Sequence, residues 1–268
     1  MTSVGLIGFG AIGRSIVDLW HSVPASSLRL AGACVRPHQI ERAQRAMPGN
    51  TLICDDIEQL LNIRPDCIIE AAGHAVVQSH GARILRRGCP IYLLSVGSLA
   101  DAALRGSLVT AASEGNSHIL IPAGALAGFD GLLTLACDNL RSVKYISTKP
   151  CKAWQGTVAA ETHELDRLTR RTVIFQGNAG DAARLFPKNA NLAAAVALAG
   201  IGFERTRVEL VADPNASGNV GTIEAVSHST TLTLSVASNP SSNPKTSANV
   251  GASVIAALRN GTAAVRFV

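Results

Sequence analysis

The chain has 268 residues, of which 47% are hydrophobic and 16% charged, with 24 glycines and a formal net charge of +5. This fits one large or two modest α/β domains with real cores and excludes a disordered, fibrous or low-complexity protein. Lys and Arg are scattered, and the densest pairs, Arg86 with Arg87 and Arg170 with Arg171, are too short for a nucleic-acid footprint. The charge instead suits a solvated basic surface or a cleft that attracts a phosphorylated cofactor and an acidic substrate.

Six cysteines without a CxxC pair read as free thiols in a reducing compartment, with no metal site. The start MTSVGLIGFG lacks a basic leader, and no apolar run reaches the ~18 residues of a membrane span. A soluble, cytoplasmic protein is expected, with no membrane or nucleic-acid partner.

From Ser3 to Ile121 the apolar runs VGLIG, LRLAGACV, TLIC, CIIEAA, IYLLS and HILIP alternate with amphipathic helical stretches. Continuous apolarity marks strands buried on both faces, and the alternation predicts parallel βαβ units in a Rossmann-type, doubly wound α/β sheet. After Pro122 the strand-like runs KYISTKP, RTVIFQ, RVELVAD, TIEAVS and TTLTLSVA follow one another with fewer helices. They predict a smaller α+β domain on a mostly antiparallel sheet, with helices over Ala179 to Phe186 and Asn191 to Ala199. The turn-rich SNPSSNPKTS then precedes a helix over Ala248 to Arg259. The expected division is residues 1–122, with 244–268 packing back on them, as the dinucleotide-binding domain. Residues 123–243 form the substrate and catalytic domain, whose sheet pairs with a second copy in a homodimer.

Gly8-Phe9-Gly10-Ala11-Ile12-Gly13 matches GxGxxG between the first strand and a helix. The first glycine turns the chain, the second lets backbone approach a pyrophosphate, and the third lets helix pack on strand. The helix start supplies N–H groups and partial positive charge to the phosphates. Where an NAD site commonly carries an acid after the second strand, this chain has Arg36, whose guanidinium suits the 2′-phosphate of NADP, so NADP or NAD is expected. Ala72, Gly73 and His74 follow the fourth strand, and Ser95-Val96-Gly97 the fifth, at the carboxyl ends that face a cofactor.

Further segments occur in order along nearly the whole chain: Ile121-Pro122-Ala123-Gly124-Ala125-Leu126, Thr148-Lys149-Pro150, Phe175-Gln176-Gly177, Leu185-Phe186-Pro187-Lys188-Asn189-Ala190-Asn191, Ala212-Asp213-Pro214 with Asn219, and Asn243-Pro244-Lys245-Thr246-Ser247. In these the chain resembles the L-aspartate dehydrogenase family. The resemblance implies oxidation of an amino-acid dicarboxylate, L-aspartate, by NAD(P) to iminosuccinate. That product hydrolyses to oxaloacetate and ammonia or feeds NAD biosynthesis. It also implies cofactor contacts at Ala125 and Asn191. The Asn191 amide offers the donor and acceptors a carboxamide needs, although Asn is also a favoured helix cap. Lys149, Lys188 and Lys245 are candidates to bind a substrate carboxylate.

The family pattern Asn-x-His, whose histidine serves as acid or base, reads Asn219-Val220-Gly221 here, and the next segment, Val226-Ser227-His228-Ser229-Thr230, also departs from the family. Three routes stay open: His228 substitutes for the histidine, turnover proceeds without it, or the protein is an NADP-binding regulator or a reductase of another imine or keto acid.

Overall fold

A computed structural model describes residues 1–21, 27–187, 189–239 and 247–267. They form two compact units, Met1–Pro122 with Gly251–Val268, and Ala123–Val250. Lys188, Lys245 and most of the SNPSSNPKTS stretch lie outside the described residues.

The first unit contains β1 (Thr2–Ile7), α1 (Ala11–Trp20), β2 (Leu28–Cys34), α2 (Ile40–Ala46), β3 (Leu52–Cys54), α3 (Ile57–Asn62), β4 (Cys67–Glu70), α4 (His74–Arg86), β5 (Ile91–Leu93), α5 (Ala102–Glu114) and β6 (Ile119–Leu120). All six predicted strands join one parallel sheet in the order β3-β2-β1-β4-β5-β6. Every residue of β4 is buried, as a central parallel strand requires. Connections leave β1 and β4 toward opposite edges, so the topological switch point lies between them. On α1 the buried residues Gly13, Ile16, Val17 and Trp20 recur at helical spacing and meet Val4, Leu6 and Leu30 of the sheet.

The second unit contains α6 (Phe129–Cys137), β7 (Ser142–Lys149), α7 (Ala159–Thr162), β8 (Thr172–Asn178), α8 (Ala179–Leu185), α9 (Asn191–Ala199), β9 (Arg207–Ala212), β10 (Asn219–Val226) and β11 (Thr231–Ser238). Its sheet runs β11-β10-β7-β9-β8, antiparallel except for β7 with β9. Strict alternation of burial along β7 and β10 gives one packed and one open face, with α6, α8 and α9 against the packed side. That side carries Val143, Tyr145, Ser147 and Lys149 of β7 and Asn219, Gly221, Ile223 and Ala225 of β10. Trp154, fully buried, packs edge-on against Phe186 at 6.0 Å and donates from Nε1 to the Val211 carbonyl at 3.0 Å.

The last helix, α10 (Val250–Thr262), begins two residues later than predicted. Its buried Val254, Ile255 and Leu258 join the core of the first unit. Among the described residues no helix is long and apolar enough to cross a membrane.

Candidate dinucleotide and substrate sites

Each glycine of the first turn has its own geometric reason. Gly8 sits at φ +100°, and a Cβ there would lie 2.6 Å from the Ala71 carbonyl oxygen; one at Gly13 would lie 2.3 Å from the Gly8 carbonyl oxygen. Both positions are closed to side chains by the fold. At Gly10 a Cβ would meet nothing within 4 Å, so this flank is bare and open to a ligand. Gly10 is also the N-cap of α1 and supplies no side-chain cap, which leaves the helix start suited to an anion.

A pocket of about 510 Å³ opens at this turn and brings Gly8, Gly10, Arg36 and Ala72 together. That is the size range of small-molecule sites. Ala11, Ile12 and Gly13 lie in the first turn of α1, while Gly73 caps α4 and His74 begins it. None of these five lines the pocket. Arg36 is exposed and precedes a 3-10 turn, Pro37–Gln39. Its N–H donates to Gln39 Oε1 at 3.4 Å, and Gln39 Nε2 donates to the Phe9 carbonyl at 3.2 Å, which ties the Arg36 segment to the glycine turn.

The pocket also holds Asp55, Asp56 and His80, which sequence reasoning missed. The Asp pair directly after β3, at a strand's carboxyl end, was the available signal. Asp56 is occupied as the cap of α3, accepting from Glu58 N at 2.9 Å. Cys34 lines the pocket and sits opposite Cys54 in the strand register. Burial pushes its thiol up to about 12, so at neutral pH it is protonated and a poor nucleophile.

In the second unit, Ala125 is buried, and Asn191 is the first residue of α9, whose N-cap is Ala190. A helix-cap role for Asn191 is therefore not what the structure displays. Lys149 ends β7 with 8% exposure, its Nζ 5.6 Å from the centre of the Trp154 ring. Two buried amides belong to the same unit: Asn219 begins β10, whose next residue, Val220, pairs with Thr148 of β7, and Asn189 lies in the turn before α9. Asn189 Nδ2 donates to the Ala153 carbonyl at 3.2 Å and Asn219 Nδ2 to Ser247 Oγ at 3.1 Å, while both Oδ1 atoms lack a partner. Buried acceptors left unmatched are costly, and a cationic or hydroxyl donor on a ligand or water would satisfy them.

Gly221 lies on the packed face of β10, paired with Ser147. A Cβ at Gly221 would lie 3.0 Å from Leu126 Cδ1 and 3.3 Å from the Tyr145 hydroxyl, so the space beside it is already filled. Burial pushes the Tyr145 phenol up to about 12, against the opposing effect of its hydrogen bond with Ser147.

His228 sits past the opposite end of β10, in the turn to β11, with Nδ1 3.0 Å from Arg141 Nη2. Along a strand the five steps from Gly221 to Val226 alone span about 17 Å. The structure does not bring His228 to Gly221.

The Rossmann sheet, the open glycine turn and the uncapped start of α1 define a dinucleotide-binding protein. Residues 8–122 match the family profile "Homoserine dehydrogenase, NAD binding domain", and residues 130–261 match "Aspartate dehydrogenase, C-terminal". The chain is 39% identical over 266 residues to an L-aspartate dehydrogenase of Cupriavidus necator, covering 99% of each, and 38% identical over 268 residues to one of Acinetobacter baumannii, covering 100% of each. The fold is similar to that of aspartate dehydrogenase from Thermotoga maritima, with a TM-score of 0.78 at 22% identity over all of both chains. The chain belongs to the L-aspartate dehydrogenase family.

Proposed function

We propose that the protein oxidises L-aspartate with NAD(P), giving iminosuccinate, a reduced cofactor and a proton, with water then releasing oxaloacetate and ammonium. The observation that carries this reading is family similarity over the full length, joined to a glycine turn left bare at Gly10. When bound, the nicotinamide supplies the hydride acceptor. Gly8, Gly10 and Gly13, with Ala11 and Ile12, hold the pyrophosphate at the start of α1, and Arg36 grips a 2′-phosphate. Ala72, Gly73, His74, Ala125 and Asn191 complete the cofactor contacts. Lys149 binds a substrate carboxylate, and the unmatched Asn189 and Asn219 oxygens suit the substrate's ammonium.

Gly221 carries no acid or base, so the proton leaves through water or another side chain. A positioned general base is worth ~10²- to 10⁴-fold, and orientation of the reactants supplies rate without it. The second unit holds the substrate, and the open face of its sheet pairs with a second copy in a cytoplasmic homodimer. A second reading, an NADP-binding regulator with little turnover, is favoured by the filled space at Gly221.

The deciding measurement is cofactor absorbance with a panel of amino acids and, in reverse, of keto acids with ammonium. Turnover on L-aspartate above the rest of the panel is expected. NADPH binding without turnover favours the regulator, and turnover on another acid alone changes the substrate. Arg36→Ala is expected to weaken NADPH about tenfold while leaving NADH unchanged, the loss of one charge-assisted hydrogen bond.

A further inference from the structure

Glu70 is the last residue of β4, at the switch point, and is 2% exposed. Its Oε1 accepts from Ala72 N at 2.8 Å, Gly73 N at 2.7 Å and Ser95 Oγ at 2.9 Å, and its Oε2 accepts from Ser95 N at 2.9 Å. No ion pair among the described residues includes it. Burying a carboxylate costs several kcal/mol unless its lone pairs are met, and an apolar residue of similar volume commonly stabilises a core as well or better. Filling space does not explain an acid here. All four bonds come from the turns that leave β4 and β5, and nothing else.

Those turns are the carboxyl-end surface beside the glycine turn. Ser98 Oγ donates to the Ser95 carbonyl at 2.7 Å, which extends the clamp into the 3-10 turn Val96–Ala100. On the other side Ala71 and Ala72 lie where a Cβ on Gly8 would strike, 2.6 Å from the Ala71 carbonyl oxygen and 2.9 Å from Ala72 Cα. The carboxylate therefore sets the height of the β4 turn against the phosphate turn and its distance from the β5 turn at once. Arg36 follows β2, on the opposite side of β1 from β4 and β5. A dinucleotide crossing the switch point with its adenosine at Arg36 lays its other half over the turns that Glu70 holds.

We propose that Glu70 is a positioning residue that locks the turns after β4 and β5 into one shelf for the nicotinamide-ribose half of the cofactor, acting through Ala72, Gly73 and Ser95. This rests on the dinucleotide reading above and not on aspartate as the substrate.

The test compares the whole dinucleotide with its adenosine end. Affinities for NADPH and 2′,5′-ADP, and for NADH and ADP, are measured by calorimetry on the intact protein and on Glu70→Gln and Ser95→Ala. Glu70→Gln keeps the shape but turns an amide N–H toward Ser95 N–H. Ser95→Ala removes one donor and leaves the charge in place. The expected result is at least tenfold weaker NADPH binding for Glu70→Gln and about threefold for Ser95→Ala, with both adenosine fragments held within twofold. Equal weakening of fragment and dinucleotide means general damage to the fold and overturns the proposal, as does NADPH binding unchanged in both variants. If Glu70→Gln does not fold, Ser95→Ala decides alone. Wild-type protein that binds none of the four ligands overturns the dinucleotide reading, and the proposal with it.

Discussion

At Gly221 the absence of a side chain is matched by its surroundings. Leu126 and Tyr145 fill the space a Cβ would need, at 3.0 and 3.3 Å. Contacts this short force a neighbour to move, and overpacking of a core costs typically ~1–3 kcal/mol. Gly221→His alone is therefore expected to lower the melting temperature and leave aspartate oxidation within tenfold of wild type. Gly221→His combined with Leu126→Ala gives the imidazole room, and kcat/KM for L-aspartate is expected to rise at least ~tenfold, the lower reach of general base catalysis. Steady-state rates for the three proteins check this. A tenfold rise in the single variant would show that crowding does not limit this position, and a flat result in the double variant would place the deficit elsewhere in the substrate wall.

The β10–β11 hairpin shows how one element takes its shape from a residue outside it. Asp138, just past α6, accepts from Ser227 Oγ at 2.6 Å, Ser229 N at 2.9 Å and Ser229 Oγ at 2.7 Å. These bonds, that of Ser227 first, hold its carboxyl at about 2 against an ordinary 3.8. A depressed folded-state pKa gives stability that is present above the unfolded value and lost as pH falls through the folded one. The melting difference between wild type and Asp138→Ala is expected to be constant from neutral pH down to about 5 and to shrink between about 4 and about 2. A difference that does not change across that window would rule out the charged form of Asp138 as its source.

The same element separates what the sequence makes legible from what it hides. All eleven strands among the described residues announce themselves, six as continuous apolar runs and five by their succession after Pro122. The helix Phe129–Cys137 is not predicted, because its start, with Asp130 and Gly131 directly behind a glycine-rich turn, reads as a continuation of irregular chain. Glu70 is hidden because an acid closing a strand ordinarily reads as an exposed end, and its partners become visible only once two turns meet. The distance from His228 to Gly221 and the contact of Gly221 with Tyr145 depend on strand register, which spacing along one chain does not contain.

At the scale of the whole molecule, the chain returns to its beginning: α10 places Val254, Ile255 and Leu258 in the core built on β1 and α1, which carries the glycine turn. Leu258 is 2% exposed, and truncating a buried leucine to alanine costs ~2–5 kcal/mol. The two tryptophans divide between the units, Trp20 buried in the first and Trp154 in the second, so a Trp154→Phe background leaves Trp20 to report on the first unit alone. In that background Leu258→Ala is expected to lower the Trp20 melting midpoint by roughly 5–15 °C. NADPH at ~100 times its Kd adds ~2.7 kcal/mol to any state that binds it and is absent from the unfolded chain. Added to Leu258→Ala, it is expected to recover about half or more of that loss. A midpoint that Leu258→Ala leaves within about 2 °C of its parent would mean that α10 adds little to the core. A rise with NADPH in a variant that Leu258→Ala has not lowered would show that the cofactor stabilises this unit independently of the helix that closes it.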